Sequence, residues 1–121
     1  MKRIFLGLLL IISLSQADTK KTISNYIQAW QPLMIDLNEG VLVIAFNQNK
    51  INDKIFLSIL QSGICMSANL EKWSGVKRIT IMNNHAEQGY VFEGGYDECI
   101  QSNNYKGKQK DAFLLGKSRL Y

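Results

Sequence analysis

Cys65, Cys99 and His85 are the residues of this 121-residue chain best equipped for nucleophilic or acid–base chemistry; the chain has two cysteines and one histidine in all. Two chemistries compete for them. A Cys65 thiolate activated by His85, with Asp97 or Glu98 orienting the imidazole, would make a thiol-hydrolase dyad. That spacing matches no nucleophile signature, and Cys99 offers Cys65 a different partner. An even pair of cysteines in a small exported domain is expected to close a disulfide. At a separation of 34 residues, a Cys65–Cys99 bridge restricts the unfolded chain by about 3–4 kcal/mol on the loop-entropy model. The disulfide is the preferred reading.

Other chemistry finds less support. One histidine and two distant cysteines form neither a CxxC nor an HxxxH set. Glu93, Asp97 and Glu98 lack the spacing of an oxygen-ligand calcium loop. Two carboxylates for glycoside cleavage can meet from any positions, and no pair is favoured. Gly89, Gly94 and Gly95 do not sit in the strand–turn–helix context of a phosphate loop; they are expected to supply positive φ at a hairpin end. No cofactor and no metal are therefore expected. The most unusual stretch is Gly89-Tyr90-Val91-Phe92-Glu93-Gly94-Gly95-Tyr96. Aromatic rings on a rigid hairpin are effective contact residues, so Tyr90, Phe92 and Tyr96, with His85 at the turn, form the candidate binding surface. The competing role for these rings is to fill the core beneath the first helix, and Trp30 and Trp73 are read as core.

The elements that position these residues follow from hydrophobic periodicity. Ile23, Tyr26, Ile27 and Trp30 recur at helical spacing, and Leu33, Met34 and Leu37 continue the stripe. A helix from Thr22, bent at Pro32 and stopped by Gly40, is preferred over one ending before Pro32. Val41 to Phe46 is a continuous apolar run suited to a strand buried on both faces. Asn52 or Asp53 caps a second helix burying Ile55, Phe56, Ile59, Leu60 and Ile64. Val76 to Met82 alternates as a strand, with Ile79 and Ile81 on one side and Arg78, Thr80 and Met82 on the other. Residues 83–89 turn it into a returning strand, Tyr90 to Glu93. Tyr96 to Ser102 is a short helical turn carrying Cys99, and Ala112 to Leu115 is an edge strand or docking helix. The order helix-strand-helix-strand-strand, with a small C-terminal element, predicts an α+β two-layer sandwich.

Met1 to Ala17 reads as a cleavable export signal. Lys2 and Arg3 precede an apolar run from Ile4 to Leu14, and Ser15-Gln16-Ala17 has the small residues a signal peptidase requires. A membrane span needs about 20 apolar residues, which this run does not reach, so no span remains after cleavage. The expectation is a single exported domain over 18–121, periplasmic or secreted. Loss of Lys2 and Arg3 lowers the chain's net charge of +4 to +2. The remaining excess is local: Lys106, Lys108, Lys110, Lys117 and Arg119 stand against Asp111. Such a segment is either plainly solvated or binds an anionic surface; no nucleic-acid partner is expected. The leading reading is a non-enzymatic module that binds a protein or an envelope component. A small extracytoplasmic hydrolase using Cys65 or His85 is the runner-up, and an anionic-surface binder the third reading.

Overall fold

A computed structural model describes residues 18–121; the expected leader, residues 1–17, lies outside the described residues. Helix α1 covers 18–26. The inward stripe holds in part: Ile23 and, just past the helix, Ile27 are fully buried and Trp30 packs against the core, whereas Tyr26 is only half-buried and outside that cluster. The expected continuation past Pro32 does not occur. A 3₁₀ turn, Gln28–Trp30, ends with Gln31 in the left-handed region at φ 57°, and strand β1 spans Pro32–Asn38. The physical reason is local. The residue before a proline avoids the α region, and proline has no N–H to extend a helix. Ile35 and Leu37 then alternate inward at the two-residue period of a strand, while Leu33 and Met34, which had completed the helical stripe, are exposed.

Gly40 ends no helix; it completes a two-residue hairpin turn. Asn38 pairs with Val41, and Glu39 and Gly40 both have positive φ, 51° and 82°. That combination gives the turn a twist matching its flanking strands. Strand β2 is Val41–Phe46. Helix α2, Asp53–Ser58, begins at Asn52, whose side-chain oxygen accepts the Ile55 N–H at 2.8 Å. It runs on through a π-helical segment, Ile59–Ile64, into α3, Cys65–Leu70. This long helical run is the crossover that a parallel strand pair requires, and strand β3, Arg78–Met82, duly lies parallel to β2.

Strand β4, Gly89–Phe92, returns antiparallel to β3. Helix α4 is Tyr96–Gln101 and α5 is Lys108–Gly116, so Ala112 to Leu115 is helical. A final strand not expected from the sequence, β5 (Ser118–Leu120), pairs antiparallel with β4. The result is an α+β protein with a five-stranded mixed sheet in the order β1-β2-β3-β4-β5, two strands more than the predicted order contained. Gly94 and Gly95 also differ from expectation, since neither has positive φ. Gly95 is needed for space: a Cβ there would sit 2.0 Å from the Val76 carbonyl oxygen.

One continuous core lies between the sheet and the helices. Leu42, Ile44, Phe46, Ile79, Ile81 and Phe92 meet Ile23, Ile27, Phe56, Ile59, Leu60, Ile64 and Leu114 there. Cys65 and Cys99 are joined by a disulfide, with Cα atoms 4.9 Å apart, which fastens α3 to α4.

Candidate functional site

The side chains of β2, β3 and β4 that do not enter this core point to the opposite face of the sheet. Register sets them side by side: Val43 pairs with Thr80 and Thr80 with Val91, while Ala45 pairs with Met82. Ordinarily the second face of a two-layer sandwich is polar because water covers it. Here Val41, Val43, Ala45, Thr80, Met82 and Val91 make it predominantly apolar, and none belongs to the helix-side cluster. A groove of about 380 Å³ runs over this floor. Arg78, Arg119, Ala86 and Tyr121 complete its lining. Val41 and Val43 remain half-exposed at its base, whereas Met82 and Val91 are buried.

The groove's charged rim is a single network. The Glu93 carboxylate accepts a hydrogen bond from Arg78 Nε at 2.9 Å and another from Arg119 Nε at 3.1 Å. The Arg78 bond holds the Glu93 carboxyl below its ordinary range; burial opposes it, and the Arg119 bond and both positive charges add to the lowering. Two guanidinium groups share one carboxylate, so this end of the groove carries a net positive charge. All three side chains are well exposed, and their bonds tie neighbouring strands together across the face.

The residues singled out from the sequence lie elsewhere. Phe92 is fully buried in the helix-side core. Tyr90 shares that side of β4: its ring stacks on Phe56 at 4.7 Å between centroids, and its hydroxyl donates to the Asp53 carboxylate. That bond, with some burial and the Asp53 charge, raises the Tyr90 phenol above its usual pKa. Tyr96 packs edge-on against Trp73 at 5.4 Å, in a separate cleft of about 480 Å³ shared with Asp97, Glu98 and Lys72. His85 is exposed in the β3–β4 turn. The four therefore form no common surface.

The disulfide leaves Cys65 no thiol, and no cysteine is free among the described residues. The Cys65–His85 dyad accordingly has no nucleophile. Glu98 is occupied as a helix cap, accepting the Gly95 N–H at 2.7 Å. Asn83 and Gln88 stitch turn 83–88 to segment 49–51 through hydrogen bonds to Asn49 and Ile51. Among the described residues no three His, Cys, Asp or Glu side chains gather closely enough to hold a metal ion.

The groove was reachable from the sequence only in part. A six-residue apolar strand asks for cover on both faces, and that signal was present in Val41 to Phe46. Arg119, Tyr121 and Ala86 join it through long-range pairing that no local pattern encodes. Comparison with protein-family models, with curated proteins and with solved structures finds no match to this chain.

Proposed function

We propose that this protein is an exported, non-catalytic binding domain that docks a partner protein on the helix-free face of its sheet. One observation carries the reading: β2 is apolar on both faces, yet among the described residues the helices cover only one of them. Leu42, Ile44 and Phe46 are buried under the helical layer, while Val41 and Val43 open into the groove. An apolar floor with a charged rim is the ordinary anatomy of a protein interface, where the core supplies desolvation and the rim supplies orientation. The positive Arg78–Glu93–Arg119 rim favours a partner presenting a carboxylate beside an apolar side chain. Export rests on the Met1–Ala17 pattern, and a Cys65–Cys99 bridge is the kind of bond that persists in an oxidising compartment.

The test is capture from an envelope extract by the processed protein and by its Val43→Lys variant. Val43 lies outside the helix-side core and lines the groove, so the variant is expected to unfold within about 1 kcal/mol of the original. The original retains a discrete partner and the variant loses it. A partner held equally by both, or no partner at all, overturns the proposal.

A further inference from the structure

The sheet has two edges, and they are not alike. Strand β5 is three residues long and carries Arg119; a short, charged edge resists pairing with another strand. Strand β1 is seven residues long, and Asp36 is its single charged residue. Pro32 and the shifted register between Pro32 and Met34 blunt only its first residues. From Met34 to Asn38 the strand is regular, and among the described residues only β2 pairs with it.

The register fixes which backbone groups stay open. A two-residue turn closes on a hydrogen-bonded pair, here Asn38 with Val41. Asp36 and Met34 therefore exchange bonds with Val43 and Ala45 in the same ladder, while Ile35 and Leu37 direct their N–H and C=O groups out of the sheet. No backbone group from elsewhere among the described residues meets them. The side chains at this edge are largely apolar. Ile35 and Leu37 pack against the helix-side core yet stay half-buried, and Leu33 and Met34 are 57% and 42% exposed.

We propose that β1 pairs antiparallel with β1 of a second copy of this chain, in the register that sets Ile35 opposite Ile35. The open groups of Ile35 and Leu37 then meet groups of the same strand running the other way, an isologous contact. Leu33 comes opposite Leu37 of the second copy, which carries the apolar margin of each core across the contact. Asp36 comes opposite Met34 of the second copy, so the two aspartates are offset and like charges do not face each other. The next register that keeps these bonds, centred on Asp36, opposes them directly. Self-pairing is thus satisfied by this one sequence in backbone, apolar contact and charge together. The two-fold axis stands perpendicular to the sheet, so both copies present their grooves on the same side. The contact runs along the sheet's edge and does not depend on what the groove binds.

Sedimentation equilibrium tests it. The protein as processed by its expressing cell is compared with Met34→Lys, with Met34→Asp, and with Met34→Asp combined with Asp36→Lys, all sharing one N-terminus. The original approaches twice the monomer mass as its concentration rises. Met34→Lys sets opposite charges across the contact at two symmetry-related places and tightens the dimer roughly tenfold. Met34→Asp sets like charges there and weakens it by a similar factor, and adding Asp36→Lys restores it. High salt shrinks these differences. A monomer at every concentration overturns the proposal and leaves the edge to a strand of some other protein. A dimer indifferent to these charges overturns it as well, because another surface then holds the copies together. So does a dimer weakened alike by Met34→Lys and Met34→Asp, which reports damage to the strand and not its register.

Discussion

The two faces of β2 differ by one residue of sequence and by nearly everything in environment. Ile44 is sealed within the helix-side core, whereas Val43 beside it lines a groove whose described lining residues come from strands, turns and the C-terminal residue. On the helix side, aliphatic and aromatic groups from α1, α2, α3, α4 and α5 close a continuous core. On the other side, Ala45, Thr80, Met82 and Val91 are buried without belonging to that core, and Val41 and Val43 are half-buried in the groove. Apolar composition alone therefore does not distinguish a face packed under helices from a face that lines a groove.

The largest predicted effect sharpens that contrast. Phe92→Ala empties a fully buried site on the helix side and should cost about 3–5 kcal/mol in urea unfolding. Val43→Thr, on the open side, should cost less than about 1 kcal/mol. Equal losses would mean that both faces stabilise the monomer alike and would break the comparison.

Next in size is the bridge that braces the helical layer. Replacing Cys65 and Cys99 together by Ser should lower stability by about 3–4 kcal/mol through loss of loop restriction. The groove, built from β2, β3 and β4, should keep its shape. Thiol titration of the denatured, unreduced protein should find no free thiol; two per chain would contradict the bridge.

The smallest effect concerns the groove rim. Glu93 has a depressed pKa in the folded protein, so its contribution is present above the ordinary carboxylate pKa and is lost as pH falls through the depressed value. The stability difference between the original and Glu93→Gln should therefore be constant near neutrality and vanish at strongly acid pH. Because the three side chains are well exposed, high salt should shrink it as well. A difference that grows on acidification would contradict this assignment of charge.

Much of the helix-side architecture was legible in the sequence. A cap at Asn52 or Asp53, the buried stripe from Phe56 to Ile64, the alternation of Ile79 and Ile81, and the pairing of Cys65 with Cys99 all follow from local patterns or residue counts. Pro32–Asn38 was misread because Leu33, Met34 and Leu37 satisfy helical spacing while Ile35 and Leu37 satisfy strand spacing; the hairpin partner β2 decided between them. Strand β5 was missed because three residues, Ser118 to Leu120, carry almost no periodic signal. The aromatic residues of the second hairpin drew attention as a surface, yet Phe92 is sealed in the core and Tyr90 is spent on Phe56 and Asp53. Short strands place alternate residues on opposite faces, and which face receives helices is a tertiary fact.

The most direct test of the central claim is a photo-crosslinking residue introduced at Val43 and activated in the living cell. The account predicts a discrete covalent adduct with another protein, absent when the same group replaces exposed Gln109 on α5. No adduct at position 43, or the same adducts from both positions, would contradict a docking role for the groove face of the sheet.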